Sequence, residues 1–233
     1  MPEWWTYSLS DFLLFSPRTY YRMLERHNDS VWPVHILLML LGVALALQLR
    51  RSTAWQGRII SVTLVLLWAW IIWVFLWRRY ATINWAVTYL IPLLALEVLL
   101  LLWVGVLRKG LTFQLRANMV GFLGSGLFLV GLLLYPIMAP LLGRGWSRSE
   151  VFGVAPDPTV VGTLGLLLLV QGGPRWSLLV VPLLWCGISA ATLWAMDAPE
   201  AWVLSLSVLI AVTAAARSRT QPRVSVRSLQ AEE

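Results

Sequence analysis

The chain has 233 residues, 59% of them apolar and only 12% charged, with a formal net charge of +7. A mean hydropathy of +0.74 excludes an ordinary soluble globular protein. The apolar runs are long and continuous, without the short alternation of an outer-membrane barrel, so they predict an all-α, polytopic transmembrane helical bundle.

Residues 1–30 read as an interfacial amphipathic segment. In "SPRTYYRMLERHND", Ser16 can cap a helix that Pro17 opens. Tyr20, Tyr21 and Leu24 then face one way and Arg18, Arg22 and Arg26 another, the pattern of a helix lying on a membrane surface, and His27 is expected on the solvated side. "FLLF" is too short for a signal-peptide core, so the first span is expected to act as its own targeting signal.

Residues 31–216 form the predicted transmembrane domain. A span needs about 20 apolar residues to cross about 30 Å of hydrocarbon. Candidates fall at 31–49, 59–77, 84–107, 118–141, 158–171, 176–196 and 200–216, giving about seven spans. The fifth, "PTVVGTLGLLLLVQ", reaches only about 21 Å. It is either a short span or a re-entrant segment, the latter leaving six spans.

With seven spans, the amino-terminal side carries 7 Lys and Arg and the opposite side 11. The re-entrant alternative gives 12 and 6. Basic residues accumulate on the cytoplasmic side, and both arrangements put the C-terminus there. Residues 217–233, arginine-bearing and without apolar periodicity, read as a disordered basic cytoplasmic tail.

Inside the spans, polar residues are few. Glu97, in "LIPLLALEVLLLLWVG", lies about two residues from the middle of its run, where an ionised carboxylate is expensive. It marks either a functional site or a neutral carboxyl group hydrogen-bonded across a helix interface. Trp68, Trp70, Ser125, Cys186 and Ser207 lie at matching depth and no Lys or Arg does, so protonation or a bound cation must settle the charge. Glu97, Ser125, Trp68, Trp70 and Ser207 therefore form the candidate intramembrane polar site. His35, near the start of the first span, is a weaker candidate that more simply reaches headgroups or loop carbonyls.

Asp157 precedes Pro158 at the expected N-cap of the fifth helix. With Thr159 it makes a candidate short-helix N-terminal site, for capping or for a cation as in broken-helix transporters. Gly121 and Ser125 have the small-xxx-small spacing of close helix contact, within the chain or in self-association. Fifteen tryptophans include Trp32, Trp77, Trp85, Trp176, Trp194 and Trp202 at span ends, as an interface belt requires. Trp70, Trp73 and Trp77 make a helical stripe explained most simply by packing at a helix interface. The single cysteine, Cys186, excludes an intrachain disulfide and sits in an apolar setting that suits a packed thiol.

The opening "EWWTYSLSDFLLFSPRTYYRMLERHND" together with the later "FGVAPDPT" resembles an uncharacterised bacterial family of multi-pass inner-membrane proteins. The resemblance spans nearly the whole chain and implies an inner (plasma) membrane location but no activity. Members of that family carry Cys between the two prolines of the later motif, where this chain has Asp157. The departure argues against a thiol or soft-metal role and leaves a capping or hard-cation role.

No HExxH zinc motif, GxSxG elbow or nucleotide loop is present, so no enzymatic activity and no cofactor are expected. The buried carboxylate, helix-breaking prolines and Gly/Pro-led fifth helix suggest a transporter or permease for a small solute or ion. The alternative is an accessory or assembly subunit of a larger membrane complex. The expected partners are the lipid bilayer and, in the second reading, other membrane subunits; no nucleic acid is expected.

Overall fold

The computed structural model describes residue 11, residues 13–108 and residues 110–220. Residues 221–233 of the expected basic tail lie outside the described residues, as do residues 1–10 of the amino-terminal segment.

Helix α1 (Pro17–Val31) starts as its sequence dictates: the Ser16 hydroxyl accepts the Thr19 N–H at 3.2 Å and Pro17 occupies the first turn. Arg18, Arg22 and Arg26 are exposed, and Tyr20, Met23, Leu24, His27, Asn28 and Val31 are buried. The chain then turns by 86° into α2 (Val34–Gln48). Helix α3 (Ala54–Trp70), capped by Thr53, runs on through a π-helical stretch, Ile71–Trp77, in a continuous 29-residue rod ending at Thr82. Helix α4 (Ile91–Leu101) likewise continues as a π-helical stretch, Leu102–Leu107. Helix α5 (Met119–Leu129), capped by Asn118, joins α6 (Tyr135–Leu141) through a third such stretch, Val130–Leu134. Helices α7 (Pro156–Leu168), α8 (Trp176–Ala195) and α9 (Glu200–Thr220) complete the described chain. Arg217–Thr220, expected in the tail, prolong α9.

Five of these helical stretches are long and apolar enough to cross a membrane, and the bent α1–α2 pair makes a sixth by length. Helix α7 is too short by that measure, and its surroundings explain why it need not be longer. Every residue from 149 to 170 is buried, so α7 and both its approaches are enclosed by the rest of the chain.

Helix α7 runs antiparallel to α5. A Cβ at Gly131 would collide with the Pro158 carbonyl near the start of α7, and one at Gly165 would come within 2.6 Å of the Gly124 carbonyl near its end. Beyond that end, the Gln171 N–H reaches the Thr112 carbonyl at 2.7 Å and Val170 bridges to Phe113, both just ahead of α5. The two ends of α7 therefore sit at opposite ends of the bundle. The fifth segment runs beside α5 from one end of the bundle to the other, and with five helices, or six counting the bent pair, long and apolar enough to cross a membrane, the described residues roughly fit the expected seven spans. An enclosed helix needs no apolar length to match the lipid.

Gly121 is buried against the carbonyl of Arg116, a close approach within the chain, and Ser125 is half-buried. The Trp70, Trp73 and Trp77 stripe faces outward, with exposures of 38%, 59% and 52%. This corrects the expected packing: the stripe lies on the outer surface of the chain rather than at one of its own helix interfaces. Of the belt residues, Trp32, Trp85, Trp194 and Trp202 are exposed and Trp176 is half-exposed.

Candidate functional site

Glu97 sits on α4, which packs against α3 and α8, and its side chain is completely buried. Neither carboxyl oxygen has a hydrogen-bond partner among the described residues. The residues placed at its depth by sequence have other engagements. Trp68 is buried, but its indole N–H donates to the Thr163 hydroxyl on α7 at 3.1 Å. Ser207 donates to the Val203 carbonyl of its own helix at 2.7 Å. Trp70 cannot join the group: two residues from Trp68 is about 200° around a helix, and it faces outward. Ser125 is half-buried and Cys186 is buried, and neither hydrogen-bonds Glu97.

A second polar site lies at the amino-terminal end of α7. The helix begins at Pro156 with Ala155 at the N-cap, so Asp157 stands in the first turn and is not the cap expected from sequence. Pro156 and Pro158 carry no N–H, which removes two of the donors a capping side chain would otherwise serve. Asp157 instead turns to α8. Its Oδ1 accepts the Trp185 indole N–H at 2.8 Å, and the Ser189 hydroxyl bridges Oδ1 and Oδ2 at 2.8 and 2.7 Å. Thr159 looks elsewhere: its hydroxyl accepts the Gly153 N–H and donates to the Ala155 carbonyl, both at 2.7 Å, fixing the lead-in to the helix.

Glu150 joins this site from the loop before α7. Its Oε1 accepts the Tyr20 hydroxyl at 2.9 Å, while Oε2 has no partner among the described residues. Burial, then the charge of Asp157, push the Glu150 carboxyl above its ordinary range, against the opposing pull of the Tyr20 hydrogen bond and Arg144. The Tyr135 hydroxyl, buried within electrostatic range of Asp157 and Glu150, also lacks a hydrogen-bond partner among the described residues.

Helix α1 roofs the site. Asn28 donates to the Ser147 and Ser149 carbonyls, each at 2.8 Å, and Ser149 donates to the Pro136 carbonyl at 2.7 Å. Arg144 pairs with Glu200, hydrogen-bonds the Tyr21 hydroxyl and lies 4.5 Å from the Tyr21 ring centre. His27, expected on the solvated side, is buried with its ring edge-on to Phe75 at 5.0 Å. Burial, aided by the charge of Arg79, lowers its pKa to about 4 and keeps the ring neutral. His35 hydrogen-bonds the Asn28 side chain at 3.2 Å rather than a loop carbonyl. Among the described residues, no group of three His, Cys, Asp or Glu side chains is arranged to hold a metal ion.

Glu150, Trp185 and Ser189 were not singled out by sequence reasoning. Glu150 stands in a polar loop that reads as solvated, and Asp157 reaches its α8 partners across 28 and 32 residues without a motif. The one available signal was Asp157 itself, a carboxylate between two prolines.

An all-helical bundle with membrane-crossing apolar helices and a few carboxyl groups turned inward defines a multi-pass integral membrane protein. The chain belongs to a family of unknown function (DUF6064), whose model matches residues 18–226. No match is found among curated proteins or solved structures.

Proposed function

We propose that the protein is a small permease that moves a small solute or ion across the membrane with Glu97 as its titrating group. The observation that carries this reading is the complete burial of Glu97 with both carboxyl oxygens unpartnered among the described residues. A purely structural carboxyl in such a place finds a hydrogen-bond donor, because an unsatisfied buried polar group costs about 1–3 kcal/mol. A group left open is free to exchange a proton or bind a cation. Asp157 and Glu150, at the end roofed by α1, would then lie at the mouth on the amino-terminal side. By the excess of Lys and Arg on the other side, that mouth is external and the C-terminus cytoplasmic, in a bacterial inner membrane. A reporter fused to the C-terminus and active only in the cytoplasm should score.

The test uses purified full-length protein in liposomes, with proton and Na+ flux followed under an imposed gradient. Wild-type protein should raise flux above that of empty liposomes and Glu97→Gln should abolish it, since Gln keeps shape and hydrogen bonding but cannot titrate. Wild-type liposomes no leakier than empty ones would overturn the permease reading. Flux that survives in Glu97→Gln would remove Glu97 from it.

A second reading, an accessory or assembly subunit, is favoured by the enclosure of α7 and its glycine-mediated contact with α5, which fill the middle of the bundle. Purification in mild detergent distinguishes the two, because stoichiometric co-purifying chains belong to a subunit and not to an autonomous permease.

A further inference from the structure

The surface above α1 carries a feature that neither carboxyl site explains. Arg18, Arg22 and Arg26 recur every fourth residue along the outer face of α1, and Arg78 and Arg79 meet them from the end of α3. Together they line a cavity of about 370 Å³ that has no acidic residue in its wall. Among the described residues none of the five is in an ion pair; Glu25, on the neighbouring side of α1, is engaged with Arg148 at 3.2 Å. Arg18, Arg22 and Arg26 also border an adjoining cavity of about 650 Å³ whose wall holds Glu25, Asp29 and Arg148. On the side facing Arg78 and Arg79 no carboxylate lines the hollow, so the five guanidinium groups repel one another there, and an anion seated among them would relieve that repulsion.

The same two α3 arginines open a second cavity of about 520 Å³, whose other walls are Ser30, Val31, Trp70, Trp73 and Val74. Here the character changes from cationic to apolar. Trp73 and Trp77 are exposed beside it, and α1 lies across the bundle end at 86° to α2, where headgroups of a bilayer would be found. A basic hollow at headgroup level that shares Arg78 and Arg79 with a tryptophan-lined furrow on the outer surface matches a molecule with an anionic head and an apolar tail.

We infer that this composite groove binds an anionic phospholipid, its phosphodiester among Arg18, Arg22, Arg26, Arg78 and Arg79 and an acyl chain against Trp70, Trp73 and Val74. Guanidinium groups suit the task because their planar donors grip phosphate oxygens in pairs. A free phosphate would use the arginines but leave the furrow without a role. The inference is independent of whether the protein transports anything.

The experiment measures lipid retention by full-length protein in detergent, by native mass spectrometry, with phosphatidylglycerol and phosphatidylcholine of identical acyl chains as probes. Phosphatidylglycerol should be retained about tenfold more strongly than phosphatidylcholine, and Arg22→Gln with Arg78→Gln should lower its retention about tenfold. Arg50→Gln with Arg51→Gln, at the other end of the bundle, should leave retention unchanged. Trp73→Ala should weaken phosphatidylglycerol retention through the furrow alone. Equal retention of the two lipids by wild-type protein would overturn the proposal, as would an equal loss from the arginine pair at the far end. Displacement of the lipid by millimolar inorganic phosphate, with Trp73→Ala silent, would assign the hollow to a free anion and overturn it too. Should the groove arginine variant fail to fold, the wild-type lipid comparison and Trp73→Ala still decide.

Discussion

Asp157 and Glu97 are both withdrawn from solvent, yet their surroundings differ in kind. Asp157 stands at the start of an enclosed helix, where loop, helix end and aromatic side chains converge, and three donor contacts from α8 hold its two oxygens. Glu97 stands mid-helix with no hydrogen-bond donor to either oxygen among the described residues. Polar groups at a helix end meet hydroxyl and indole donors from elements that change direction there. Those in mid-bundle meet side chains chosen for apolar packing, whose backbone groups are already paired in helices. The first carboxyl group is therefore part of what holds the bundle together. The second has no such hydrogen bond to another helix among the described residues.

The largest effect expected from this contrast is on Asp157. Asp157→Ala leaves the buried Trp185 indole and the half-buried Ser189 hydroxyl without their acceptor, and should cost about 3 kcal/mol or more. Asp157→Asn, which keeps one acceptor, should lose less. Thermal unfolding in detergent measures both, and the contrast collapses if Asp157→Ala is no less stable than Glu97→Leu.

A smaller effect should appear as pH dependence at Glu150. Because burial raises its carboxyl pKa in the folded protein, the native state favours the protonated form. The stability this supplies is fully present below the ordinary carboxyl pKa and is lost as pH rises through the higher folded value. The unfolding midpoint should fall as pH is raised across that window, and Glu150→Gln should flatten the fall. A slope unchanged by Glu150→Gln would place the titration on another group.

The smallest effect is expected at Glu97 itself. Glu97→Leu should change stability by less than about 1 kcal/mol or raise it, since it replaces an unpartnered buried polar group with an apolar one of similar size. A large destabilisation would mean that Glu97 has a hydrogen-bonding role after all, and would erase the difference from Asp157.

The sequence made the bundle legible because hydrocarbon thickness sets run length, and the predicted spans fall within a few residues of the helices for most of the chain. The capped start of α1 was equally legible, since Ser16 and Pro17 act within one turn of each other. What stayed hidden depends on tertiary neighbours. His27 reads as solvated from its own helix but is covered because α1 lies on the bundle end against Phe75. Asp157 reads as a cap because capping is local, whereas its actual partners lie on another helix. The inward burial of Glu97 followed from solvation cost, but depth alone could not tell which residues at that level share its face, and Trp70 shows how far rotation around an axis can mislead.

The enclosure of α7 has a consequence for how such a chain enters a membrane. At 13 residues it spans about 20 Å, against about 30 Å of hydrocarbon, and it brings Asp157 with it. Emerging alone from an insertion machine, it would have little reason to stay in the lipid. Helices α8 and α9 follow it in the chain, and α8 supplies the donors for its carboxylate. Biogenesis must therefore shelter this segment until later parts of the polypeptide have been made, so truncation within α8 should leave α7 exposed to quality-control proteases while α2 to α4 are already integrated.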